Sequence, residues 1–261
     1  MEVLERRFAT IGARVKVPES PWLGMPQIDV GTDRRGEFFD LRFSARGRAN
    51  EVELDVVDAR PDARHLLLLV RDGHEKSKFL CGHDERHWFV AAVPESARGV
   101  SGVAEAMRAL QPDGVREAVA QTRPKDPLRR KNAAYVRQGE WFFVPAPDVV
   151  VDTDAVRHDE PISRGRGSKP HVVELVYRGG GQLVYVSRRY PSGLDQRAFD
   201  ALPELARRRE SWVPMTRDAE VYAKGTVRHS DHATIVLPTW HSVEMNTEQR
   251  ARAMRHVVFL D

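Results

Sequence analysis

The single cysteine of the chain and two of its ten histidines share one tract, "FLCGHDERHWFV", positions 79–90. A thiolate beside an imidazole is a nucleophile, and two imidazoles can divide general-base and general-acid roles near neutral pH, where histidine titrates. Cys81 follows Phe79 and Leu80 in an apolar run, which is the setting of a packing cysteine. His83 and His87 are therefore the first candidate catalytic pair, for a hydrolase or phosphodiesterase in which one ring takes a proton and the other protonates the leaving oxygen.

A second pair is His229 and His232, in "VRHSDH" with Asp231 between them. These residues resemble the tail of the His-x-His-x-Asp-His signature of metallo-β-lactamase-fold hydrolases. Val227 stands where the first histidine of that signature belongs, so the likeness ends within six residues and does not place the chain in the family. A metal needs three converging ligands, and this spacing supplies two or three at most. No metal site is assigned from it, and the cofactor question stays open. With one cysteine, histidine and carboxylate are the only metal ligands in prospect.

Two basic segments suit anions. His158, Asp159, Glu160 and His171 bracket "SRGRGSKPH", in which Arg164, Arg166 and Lys169 have no acidic neighbour within the loop, and Gly165 and Gly167 would let backbone amides approach a phosphate. Arg129, Arg130 and Lys131 precede Tyr135, Trp141, Phe142 and Phe143, a combination that could neutralise phosphates and stack on bases provided Tyr135 or Phe142 is exposed. From these loops the first expectation is binding of RNA or another single strand. The second is the histidine-based hydrolase, with or without a metal, and the third is a protein-interaction module recruiting a partner by strand addition. Histidines of both halves converging in one cleft would favour the enzyme, and an open basic sheet face would favour binding. The Gly-x-Gly-x-x-Gly, Gly-x-Ser-x-Gly, His-Glu-x-x-His and EF-hand patterns are all missing.

Composition sets the frame for these candidates. The 261 residues hold 41 Lys plus Arg against 38 Asp plus Glu, a net charge of +3 that is low for a dedicated polyanion binder, although 34 of the 41 cations are arginine. No run approaches the roughly 20 apolar residues of a membrane helix, and the charged N-terminus lacks a signal-peptide core. The expected setting is cytoplasmic.

Period-two alternation from Glu37 to Val93 predicts an antiparallel meander of about five strands, with "HLLLLV" as a central strand covered on both faces and "GHDER" as a turn. Two short helices follow, on the stripe Val100, Val103, Met107, Leu110 and on "QPDGVREAVAQ". "EWFFVPAP" reads as a strand, and the polar stretch up to Pro170 as a linker. "HVVELVYRGGGQLVYVSRR" predicts a β-hairpin, and "AEVYAKGTV" with "ATIVLP" another, around "RHSDH". Ser192 and Asn246 are placed to open helices. The fold class is α+β with antiparallel sheet predominant, in three stretches: 1–152 with the meander and helices, 153–170 as linker or functional loop, and 171–261 as a C-terminal α+β unit that packs alone or with the first as one domain.

Overall fold

A computed structural model describes residues 2–17, 27–43, 52–164, 168–252 and 254. The chain is α+β and mainly antiparallel, with few and short helices. Helix α1 (Glu2–Ala9) buries Leu4 and Phe8 and leads into β1 (Val15–Lys16), β2 (Gln27–Asp33) and β3 (Gly36–Arg42), a small sheet in the order β1-β3-β2. The pairing of β1 with β3 is parallel. Strands β4 (Glu53–Arg60), β5 (His65–Asp72), β6 (Glu75–Asp84) and β7 (His87–Val93) form a four-stranded meander. The expected five-stranded meander is thus corrected: β3 pairs with β2 and β1, and the meander starts at β4.

The run "HLLLLV" is continuous because both faces of β5 are covered. Leu66, Leu68 and Val70 join the core beneath α1 and the small sheet, while Leu67 packs with Leu80, Ala91, Val103 and Ala106 of α2 (Val103–Ala109), and its C-cap Leu110. Residues alternate sides along a strand, so this double cover needs an unbroken apolar sequence. Cys81 lies in the first of these cores, fully buried, and its thiol is pushed far up by burial, which removes the thiolate a nucleophile requires.

The turn after β6 is tighter than "GHDER" implies. His83 and Asp84 still belong to the strand, paired with Trp88 and His87, and only Glu85 and Arg86 turn the chain. Glu85 does so at φ +51°. Gly82 is needed for proximity rather than for unusual dihedrals: a Cβ there would lie 2.5 Å from the His65 ring and 2.8 Å from Phe89.

Helix α3 (Asp113–Thr122) covers one face of β9 (Trp141–Pro145) through Val115, Tyr135 and Phe142, and Phe143 points into a separate core on the other face. With β8 (Val136–Gln138), β10 (Arg157–Ile162), β11 (His171–Gly179), β15 (Glu220–Arg228) and β16 (Ile235–Met245), β9 builds a six-stranded sheet in the order β10-β11-β15-β16-β9-β8. The stretch expected to be a linker therefore contains a strand, β10, paired along β11.

The hairpin expected at "GGG" is also corrected. β11 pairs with β10 and β15, and β12 (Gln182–Val186) turns away into a third sheet with β13 (Leu194–Asp195) and β14 (Val213–Arg217). Gly180 and Gly181, both at positive φ, make that departure. Within this third unit Asp195, not Ser192, caps α4 (Gln196–Asp200) by accepting from the Ala198 amide, and α5 (Glu204–Arg209) follows Pro203. The segment after Asn246 is a single 3₁₀ turn, Thr247–Arg250. No helix among the described residues is long and apolar enough to cross a membrane.

Leu67 has no exposed surface and is walled by α2. Leu67→Ala should lower the unfolding free energy by about 2–5 kcal/mol, read by urea denaturation. In the same titration Cys81 should resist a thiol reagent until the chain unfolds, and fast modification of the native protein would contradict its burial.

Candidate metal centre

Three strand ends bring His171, His229 and His232 together. His171 opens β11 opposite Ile162, and the other two lie in the loop between β15 and β16, just beyond the Val227–Ile235 pair. One ring nitrogen from each histidine lies within 4.8 Å of the others. The rings are nearly parallel: His171 to His229 is 4.1 Å between centroids at 21°, His229 to His232 is 4.7 Å at 27°, and His171 to His232 is 5.7 Å at 21°. An ion bound at about 2.0–2.1 Å would draw tetrahedral nitrogens to about 3.3 Å, a closure of up to about 1.5 Å, and the stacked rings would have to turn out of parallel so that their in-plane lone pairs converge.

The loop is pinned from several directions. The buried amide of Gln138 donates to the Ala233 carbonyl at 2.7 Å and to that of Val227 at 3.4 Å. The carboxylate of Glu85 accepts from the Ala233 amide at 2.5 Å and lies 3.7 Å from His232 Nδ1. Lys169 bridges to Asp231 at 2.8 Å, and its carbonyl lies 3.3 Å from His229 Nε2. His229 Nδ1 accepts from the Asp231 amide at 3.2 Å, so Nε2 is the nitrogen this ring would give, unprotonated, to an ion. Gly139, at φ +58°, closes the other side: a Cβ there would stand 2.8 Å from His232 Nε2 and 3.4 Å from His171 Nε2.

His171 is only 1% exposed, and neither of its ring nitrogens has a hydrogen-bond partner; His232 Nδ1 is likewise buried and unbonded. A core histidine normally places at least one nitrogen on a carbonyl or carboxylate, because an unpaired buried polar group is costly. Burial, then the proximity of His229 and His232, drives the His171 ring down to about 3, and burial lowers His232 as well. Neutral imidazole is the form that binds metal.

Two of the three histidines, His229 and His232, border a cavity of about 350 Å³, and His171 lies behind them. His229, His232 and Asp231 line it from one half of the chain, and His87, Asp84 and Trp88 from the other. Leu80, Val90, Met107, Leu110 and Phe142 give it an apolar wall. Its three cations are each bridged to a lining carboxylate: Arg137 to Asp84 at 3.3 Å, Arg164 to Glu248 at 3.1 Å, and Lys169 to Asp231. Asp29, Glu37 and Glu140 leave the lining with more acid than base. For Asp231, burial acts to raise the carboxyl but is outweighed by bonds from Lys169 and Ser230, which hold it below its ordinary value.

Comparison of the chain with protein-family models, curated proteins and solved structures finds no match.

Of the expected residues, the structure joins His229 with His232 and adds His171. His83 and His87 do not form a pair. His83 stands edge-on to Trp88, 4.9 Å between ring centroids, outside the cavity lining, and His87 donates from Nδ1 to the Glu37 carboxylate at 2.6 Å and lines it. Arg130 bridges Asp84 and Glu85, while Arg129 and Lys131 are exposed. Arg164 is partly buried between Glu248 and Glu140, and Arg166, Gly165 and Gly167 lie outside the described residues. Tyr135 and Phe142, whose exposure base stacking would need, are 2% and 4% exposed. Sequence reading missed Glu85, Gln138 and Gly139 as supports; none carries a local signal, since each acts on a loop distant in the chain.

Titrating metal-stripped protein with Zn²⁺ or Co²⁺ should show one tight equivalent. His171→Ala should weaken it by more than about 100-fold, and Gly139→Ala, which pushes a methyl against two of the rings, by about 10- to 100-fold. Wild-type affinity in both variants would sink the site. A second outcome concerns Glu248, whose carboxyl burial pushes up to about 7, with Arg164 opposing and Glu140 assisting. A carboxyl raised on folding adds stability that is complete below its unfolded value of about 4.3 and is lost as pH rises through about 7. Glu248→Gln should flatten that decline in thermal or urea midpoints measured across this range.

Proposed function

We propose that the protein is a metal-dependent hydrolase whose ion is held by His171, His229 and His232. The observation that carries this is His171: a wholly buried, neutral imidazole with neither nitrogen bonded, facing two more imidazoles beside a cavity. Three protein ligands leave a coordination position for water, whose pKa falls toward about 7 on such an ion. In the reaction the water oxygen bonds to the electrophilic centre, the bond to the leaving group breaks, and the water's protons go to a base and to the departing atom. Asp231, next to two of the ligands in the chain and ionised by its bridge to Lys169, is the lining carboxylate assigned as that base.

The lining also bears on the substrate. Every cationic side chain there already meets a carboxylate, so a bare phosphate would have to displace Asp231 or Glu248 to be recognised. A divalent ion offsets part of the acid excess. An uncharged ester or amide with an apolar flank suits this wall better than a polyanion.

The test is hydrolysis by metal-stripped and Zn²⁺-loaded protein of p-nitrophenyl acetate, an N-acyl p-nitroanilide and bis(p-nitrophenyl) phosphate. Turnover of an ester or amide that needs the ion and disappears in His171→Ala is the expected result. Turnover indifferent to the ion, or none by metal-loaded protein on any of the three, would overturn it.

A further inference from the structure

Residues 182–217 leave the six-stranded sheet and return to it almost where they left. Gly179 and Glu220, the last and first residues of β11 and β15, are register partners, so that hairpin closes without the intervening segment. None of these residues lines the cavity. The segment is an arm of its own, with the sheet β13-β12-β14 and the helices α4 and α5.

The arm has little core. Val184 and Ser187 are its only buried residues, and Leu183, Leu205, Val213 and Met215 are exposed, Leu205 at 71%. What runs through it instead is a row of half-buried rings: Tyr185 on Phe199 at 4.0 Å, Phe199 edge-on to Trp212 at 5.0 Å, and Trp212 on Tyr190 at 5.6 Å. Arginines surround the row. The arm holds seven of them and no lysine against four acids, an excess that matches the net +3 of the whole chain. Arg188, Arg189, Arg197 and Arg209 are exposed and have no ionic partner among the described residues. The guanidinium of Arg189 lies 5.8 Å from the centre of the Tyr190 ring, and that of Arg207 5.8 Å from Phe199. Around the cavity, by contrast, the cations are spent on carboxylates.

We infer that this arm docks single-stranded nucleic acid, with Arg188, Arg189, Arg197 and Arg209 on phosphates and the ring row offering Tyr190 to a base. Unpaired guanidinium groups make the charge-assisted forked bonds that phosphate oxygens accept, and aromatic faces flanked by arginine stack bases with little regard to sequence. The nucleic acid is a partner held apart from the cavity. The inference is therefore independent of the metal centre.

Fluorescence anisotropy of the full chain with a labelled single-stranded RNA, its duplex and heparin as competitor tests it. Saturable binding of the single strand is expected, weakening with salt in proportion to about 0.7 per phosphate contacted. Arg188→Gln, Arg189→Gln, Arg197→Gln and Arg209→Gln combined should cost at least about tenfold in affinity at low salt and lower the salt slope by about 3. Tyr190→Ser should weaken single strand more than duplex. These arginines are exposed, so an unchanged thermal midpoint will report that the quadruple variant is folded. His171→Ala should bind as the unaltered chain does, which separates failure here from failure of the hydrolase reading. No binding at low salt, wild-type affinity in the quadruple variant, or a duplex and heparin that compete as well as the single strand would overturn the inference.

Discussion

The amide of Gln138, buried between the carbonyls of Val227 and Ala233, fixes the one loop on which the site depends. Without it the turn between β15 and β16 would be held by Glu85 at the Ala233 amide and by Lys169 at Asp231. Gln138 can occupy this place because β8 and β9 join the sheet next to β16, which brings the turn at Gly139 and Glu140 under the histidine rings. The same turn must be glycine at 139, since the space a side chain would use is already filled by His232 and His171. Sheet order, one buried amide and one missing side chain thus converge on the same few ångströms.

The hairpin tip at Glu85 meets this arrangement from the other half of the chain. Glu85 turns left-handed without being glycine, an unfavourable backbone state that persists only where contacts over-determine it. Here the carboxylate is held by Arg130, by the Ala233 amide and by its approach to His232. Arg130 and Arg137 also share Asp84, so charges read in the sequence as acid-poor basic loops are balanced by acids from a strand some distance away in the chain. At the site the two halves are joined by ion pairs and hydrogen bonds.

Much of the local structure was legible. "HLLLLV" betrays a strand covered on both faces, and the alternation around it a meander, because burial on a pleated strand follows a period of two. His229 and His232 were legible as neighbours because one turn holds both. His171 was not, since nothing near it in the chain records which strand will lie beside it. The failed hairpin at Gly179–Gly181 has the same origin: propensity and glycine mark two strands and a turn, but whether the second strand pairs with the first depends on β15, which claims the same edge of β11. Tyr135 and Phe142 misled in the opposite direction. Aromatics beside basic residues look like a stacking platform until α3 is seen to lie on them.

The pairing of Gly179 with Glu220 also governs how the chain reaches its fold. Closing a long loop costs more entropy than closing a short one, by about 2–3 kcal/mol for a twentyfold difference in length. If the arm forms its ring row first, its two ends are already side by side and β11 and β15 meet as though joined by a short turn. If it does not, this pair of the six-stranded sheet must be found across the full span of the insertion. Stacked aromatics in a segment with hardly any core would then set the speed at which the sheet, and with it the histidine cluster at the far end of β11, is assembled.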